Sequence, residues 1–131
     1  MPLSPYLHFQ GNCAEAVAAY ARIFGAPEPK AMQYPDTPAG QTPRIMHTQV
    51  PIAGGALMAS DFPHGTAGDA QKAVTVSVSL PDVATARAAF DGLAEGGAVI
   101  EGFGPTFFSP GYGMLRDRFG MHWIVMAEAT T

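Results

Sequence analysis

Two stretches decide the fold when set side by side: LHFQGNCAEAVAAYARIFG (Leu7–Gly25) and VSLPDVATARAAFDGLAEG (Val78–Gly96). Each reads as a short strand, a polar capping residue and an alanine-rich helix closed by glycine. In the first, Asn12 stands at the N-cap and Glu15 follows three residues on, the spacing of a capping box. Ala16, Tyr20 and Ile23 then recur at helical intervals, and Gly25 ends the helix. In the second, Asp82 takes the cap, Ala86, Phe90 and Leu93 take the apolar positions, and Gly96 and Gly97 close the helix. A repeat of this kind sets the architecture of the whole chain.

The helices align at an offset of 70, Tyr20 on Phe90, but the strands align at 71, Phe9 on Leu80. The first half therefore carries one extra residue, at Gly11-Asn12, where glycine suits a bulge. In AVTVSVSL (Ala73–Leu80), Val74, Val76, Val78 and Leu80 share one face, and Thr75, Ser77 and Ser79 the other. By the same alternation Leu7 and Phe9 are the helix-covered pair, and Tyr6, His8 and Gln10 point away from the helix.

Three more strands are predicted after each helix: 29–34, 44–50 and 55–61 in the first half, and 98–102, 112–117 and 121–126 in the second. PDTPAGQTPR (Pro35–Arg44) reads as a loop and IAGGALM as a hairpin turn. DRFG (Asp117–Gly120) reads as a tight turn whose Asp bonds backbone amides. The expected fold is α+β: two βαβββ modules, about 4–62 and 73–127, forming cupped mixed sheets with helices on the outer face. HGTAGDAQK (His64–Lys72) joins them inside one domain spanning 1–131.

Composition narrows the function. Apolar residues make up 47%, which argues against disorder. A net charge of −4 with 7 Lys plus Arg offers no patch to neutralise phosphates, so no nucleic-acid partner is expected. No apolar run reaches the length of a membrane span, so no membrane partner is expected either. The single Cys13 suits a reducing compartment, and MPLSPYLHFQ lacks the basic and apolar regions of a secretory signal; the expected location is cytoplasmic. Cys13 sits at the first turn of a helix, where the dipole lowers a thiol pKa, but a small packed residue is the reading taken.

With PYLHFQGNCAEAVAAY near its start, MHTQVPIAGGALMASD in its middle and YGMLRDRFGMHW near its end, the chain resembles the vicinal oxygen chelate superfamily. That superfamily includes glyoxalase I, bleomycin-resistance proteins and extradiol dioxygenases, and the likeness is nearest to its PhnB-like branch. The resemblance implies the paired-module fold and a homodimer. It also implies where a metal would be held. The usual last-strand carboxylate stands seven residues after the turn Asp, which from Asp117 falls on Ile124. The usual first-strand ligand falls on Thr75 or Ser4. None of these is a His, Gln or Glu, so no cofactor is expected. A ubiquinone-pathway methyltransferase label attached to some PhnB-like members finds no glycine-rich nucleoside loop here.

The resulting expectation is a small organic ligand held in a concave cavity by Tyr6, His8, Gln10, His47, Ser77 and Ser79, with Phe107, Phe108 and Tyr112 at the rim. The aromatic segment GFGPTFFSPGYG (Gly102–Gly113) equally suits a pocket rim or a second subunit. The alternative is a metal-dependent lyase, isomerase or dioxygenase-type enzyme with a divalent metal on His8, His47 and Asp61, or His8 acting as a general base. His122 alternates with Trp123 toward the same face, and Arg116 offers a clamp for an anion.

Overall fold

A computed structural model of the chain divides into two compact units, Met1–Ala70 and Gln71–Thr131, and describes residues 3–129. The first unit runs β1 (Tyr6–Phe9), α1 (Cys13–Phe24), β2 (Ala31–Gln33), β3 (Ile45–Ile52) and β4 (Gly55–Asp61). The second runs β5 (Thr75–Leu80), α2 (Val83–Ala94), β6 (Ala98–Gly104), β7 (Tyr112–Arg116) and β8 (His122–Ala127). The sheets have matching strand orders, β1-β4-β3-β2 and β5-β8-β7-β6. In each, the first strand runs parallel to the last and the remaining neighbours are antiparallel. The fold is the α+β pair of βαβββ units that the repeat predicts.

The one-residue offset is present in the backbone. Phe9 lies opposite Asp61 and Leu80 opposite Ala127, so Phe9 and Leu80 are equivalent ends. Three residues then lead to α1, Gln10 to Asn12, but only Pro81 and Asp82 lead to α2. The extra residue is accommodated at Gly11, whose φ of 105° suits glycine.

Each helix covers one sheet face. Leu7, Phe9, Val50, Leu57 and Ala59 are buried with Ala16, Val17 and Tyr20 of α1. Val78, Leu80, Leu115, Trp123 and Val125 are buried with Ala86, Phe90 and Leu93 of α2. Along β1 the burial alternates out-in-out-in, so Tyr6 and His8 stand on the uncovered face; Ser77 and Ser79 do likewise on β5. We call these the open faces. Burying Leu- or Phe-sized side chains contributes about 1.5–3 kcal/mol each, so this alternation fixes the register of each strand.

Two local expectations are corrected. Asn12 is the N-cap of α1, but its side chain makes no capping hydrogen bond, and its φ of −111° and ψ of 18° lie outside the extended cap conformation. Asp82 does cap α2, accepting from the Thr85 amide at 2.7 Å. β2 is shorter than predicted, Ala31–Gln33, with a bulge between Met32 and Gln33. Pro29 has no N–H to extend the ladder. The hairpin after β3 turns on Ala53 and Gly54, both at positive φ, as a two-residue connection requires.

Candidate functional site

The buried carboxylates come first, because they decide which groups remain for a ligand. Asp61 shares its face of β4 with Leu57 and Ala59 and is 1% exposed. One oxygen accepts from the amides of Gly11 at 2.8 Å and Cys13 at 3.0 Å; the other accepts from Ile45 at 2.8 Å. It thus takes the capping role that Asn12 leaves open and ties β4 to the start of α1 and of β3. In the second unit Asp117 accepts from the amides of Phe119 and Met121 and, through its other oxygen, from Trp123 Nε1 at 2.9 Å. Charge-assisted bonds of this kind are the stronger ones, and an unpaired carboxylate here is costly.

This corrects the displaced metal triad. His8 and His47 lie on the open face of the first sheet and Asp61 on the covered face, so the three donors do not converge. Among the described residues no cluster of three His, Cys, Asp or Glu side chains has metal-holding geometry. At the positions the superfamily uses, Ser4 and Thr75 offer neutral hydroxyls and Ile124 offers no donor; this set does not fit a divalent ion. Cys13 is also withdrawn from chemistry. Burial, and secondarily the Asp61 carboxylate, push its thiol up to about 12. At this position desolvation outweighs the helix dipole.

The open face of the first sheet carries a row of rings. His8 stacks on Phe62 on one side and on Tyr6 on the other, with centroids 5.0 Å apart in both pairs. Tyr6 continues to His47, 5.8 Å away, and its hydroxyl is hydrogen-bonded to His47 Nδ1 at 3.0 Å. The row is built by register. β1 pairs with β4, so Tyr6 stands beside Met58 and His8 beside Ser60, and β3 then brings Gln49 to Met58. Tyr6 remains 41% exposed. Next to His47 a cavity of about 470 Å³ opens, walled by Glu28, Lys30, Met32, Thr48, Gln49 and Pro51 among others. Thr48 closes its base by donating to the Lys30 carbonyl at 2.8 Å.

Of the expected ligand residues, Tyr6, His8 and His47 are therefore brought together, while Gln10 lies exposed beyond the end of β1. Ser77, Ser79, Phe107, Phe108 and Tyr112 belong to the second unit. There Ser77 stands beside Ile124 and Ser79 beside Met126, with Tyr112 on the far side of Met126. Phe108 meets Tyr112 edge-on at 5.2 Å, and Phe107 meets Phe108 at 5.1 Å. The segment is pinned. Thr106 Oγ1 accepts from the amides of Phe108 and Ser109, and Ser109 Oγ, bonded to the Ala127 carbonyl at 2.7 Å, is buried.

Sequence reasoning missed Phe62 and the cavity wall of Lys30, Met32 and Gln49. Alternation carried one residue past Asp61 places Phe62 on the His8 side, so that signal was present. The cavity forms where β2 and the segment before it meet β3, residues distant in sequence that no local pattern brings together.

The family model described as 3-demethylubiquinone-9 3-methyltransferase matches residues 2–126. Protein YjdN of Escherichia coli (strain K12) is 35% identical, covering 95% of this chain and 94% of that protein. The crystal structure of PA1353 from Pseudomonas aeruginosa superposes with a TM-score of 0.85 at 37% identity, covering 98% of each chain. A PhnB protein from Bacillus cereus, a putative 3-demethylubiquinone-9 3-methyltransferase, does so with a TM-score of 0.74 at 22% identity, covering 97% of this chain and 99% of that one. A glyoxylase/bleomycin resistance protein/dioxygenase domain from Frankia shares the fold at a TM-score of 0.60 and 15% identity, covering 98% of each chain. Methyl transfer by the route the family description suggests needs a nucleoside-bearing methyl donor. The strand-to-helix connections here, Gln10-Gly11-Asn12 and Pro81-Asp82, are not the glycine-rich turns that cradle one, so the residues do not fit that group. Matched along almost its whole length and in both of its repeated units, the chain belongs to this family, the PhnB-like group of the vicinal oxygen chelate superfamily.

Proposed function

We propose that this protein binds a small, flat organic molecule on the open face of its first sheet, without a bound metal. One observation carries the reading: a row of four rings, Phe62 stacked on His8, His8 stacked on Tyr6, and Tyr6 tilted against His47, lies beside a cavity walled by Met32 and Gln49, with Tyr6 and His8 exposed and Phe62 and His47 half-buried. Aromatic faces reward a planar partner, and Met adapts to its outline. The Tyr6–His47 pair and Gln49 supply polar contacts that orient it. The loss of Asp61 to three backbone amides supports the metal-free part. Screening a library of one- and two-ring aromatic fragments by NMR tests this reading, with shifts expected in the ring resonances of His8 and His47. Fragments that leave both rings unmoved overturn it. So does a stoichiometric metal in protein purified without chelator, if its removal lowers the melting temperature.

A second reading, proton transfer within the same site, rests on the Tyr6–His47 hydrogen bond. Under it, Tyr6→Phe abolishes turnover while leaving ligand affinity nearly unchanged. We also propose a cytoplasmic homodimer. Phe107 is 100% exposed and Phe108 49% exposed, as aromatics at a subunit contact are in a single chain. Light scattering at micromolar concentration is expected to give twice the mass of the chain; the monomer mass contradicts this.

A further inference from the structure

We propose that Gly68 is a specificity-determining residue: its backbone closes the Phe62 end of the ring row, so that a flat ligand enters only at the His47 end, beside the cavity. The inference rests on the flat-ligand reading of that row and names the ring that is withheld from the ligand. Gly68 lies over the face of Phe62. A Cβ built on Gly68 would fall within bonding reach of Cδ2, Cε2 and Cζ of that ring together. Near-equal approach to three adjacent ring atoms is an approach to the face rather than the edge. The Gly68 peptide therefore fills a slot that a stacked ring would otherwise take, and only glycine comes so close.

The strap that carries Gly68 runs from Pro63 and is lightly seated. It starts with a turn in which the Thr66 N–H donates to the Pro63 carbonyl at 3.0 Å and Gly65 takes a φ of 81°. A side-chain bond ties it down, His64 Nδ1 with Gln41 Oε1 at 3.0 Å. His64 Nε2 is buried without a hydrogen-bond partner among the described residues, which weakens that seating. Phe62 is held more firmly. Its N–H donates to the Phe9 carbonyl at 2.8 Å, its carbonyl accepts from Arg44 Nη1 at 3.0 Å, and its ring stacks on His8. When a side chain at position 68 forces the two apart, the strap moves and the ring stays. At the other end of the row His47 lines the cavity.

NMR of the free protein tests the contact itself. The ring current of Phe62 should move the Gly68 Hα resonances upfield of the ordinary glycine range, and Phe62→Leu should return them to it. Indole is the probe for access. In the unaltered protein it should give nuclear Overhauser contacts to Tyr6 and His47 and none to Phe62. Gly68→Ala should lift the strap, add contacts to Phe62 and let a second indole bind, while His8 and Tyr6 keep the shifts of the stacked row. Gln41→Ala, which alters no ring of the row, should open Phe62 to a smaller extent, and it decides the matter if Gly68→Ala does not fold. The proposal is overturned by Gly68 Hα resonances in the ordinary range or by indole at Phe62 in the unaltered protein. It is equally overturned if Phe62 stays closed in folded Gly68→Ala or, failing that variant, in Gln41→Ala. Indole that reaches none of the four rings in any of these proteins overturns the flat-ligand reading, and the proposal with it, whatever the Gly68 shift.

Discussion

The two sheets share strand order and both helices have 12 residues, yet their open faces carry different chemistry. The first presents Phe62, His8, Tyr6 and His47; the second presents Ser77, Ser79, Ile124, Met114 and Met126, with Arg116 and His122 at one end. The covered faces are alike in their task, since each unit spends one buried carboxylate on backbone amides. The difference teaches where duplication leaves freedom. Residues that hold the frame are used up by it, and the uncovered side is where two copies of one unit diverge.

The largest expected effect breaks the frame rather than the site. Asp61→Ala leaves two buried N–H groups and the part-buried Gly11 N–H without their acceptor and should cost about 3 kcal/mol, read as a lowered denaturation midpoint. Asp117→Ala should cost a similar amount, because two amides and the Trp123 indole lose their acceptor, and tryptophan fluorescence should report it. A cost below about 1 kcal/mol at either position removes the structural role assigned to it.

A smaller effect separates the two helix starts. Asp82→Ala should lower stability measurably, whereas Asn12→Ala should be nearly neutral, because only Asp82 makes a side-chain cap. The Asp82 carboxyl is held below its ordinary value by the Thr85 amide and so favours the folded state above about pH 4; that contribution fades as pH falls through the lowered value. Equal losses at Asn12 and Asp82 in chemical denaturation contradict the assignment of α1 capping to Asp61.

A further effect is absent at neutral pH and is seen only in alkali. Cys13 ionises near 9 in an open chain but stays protonated to about 12 when folded. Its contribution to stability is whole below pH 9 and is lost as pH rises toward 12. Cys13→Ala should flatten that alkaline decline. An unchanged slope shows that the thiol is not the group responsible.

The fold was legible because alternation and helical spacing are local. Leu7, Phe9, Val78 and Leu80 announced their face, and the shift from 71 to 70 between Phe9–Leu80 and Tyr20–Phe90 located the extra residue. Within the site, Tyr6, His8 and His47 could be placed by the same parity. Asp61 enters only the alternative metal reading as a ligand, and its alternation with Leu57 and Ala59 already sets it on the covered side. What it bonds depends on Gly11 and Ile45, distant in sequence and joined only by the sheet. Asn12 does stand at the N-cap, as its place in the sequence indicates, but its side chain makes no capping bond and the Cys13 amide is taken by Asp61 of β4 instead.

The central claim is that a flat ligand is held by the rings of the first sheet, and one titration tests it most directly. The tightest fragment found by the His8 and His47 resonances is titrated calorimetrically into the unaltered protein, Tyr6→Ala and Ser79→Ala. Loss of the central ring should weaken binding about tenfold, while Ser79→Ala, on the other sheet, should leave it unchanged. Unchanged affinity for Tyr6→Ala, or a loss seen only with Ser79→Ala, would contradict the account.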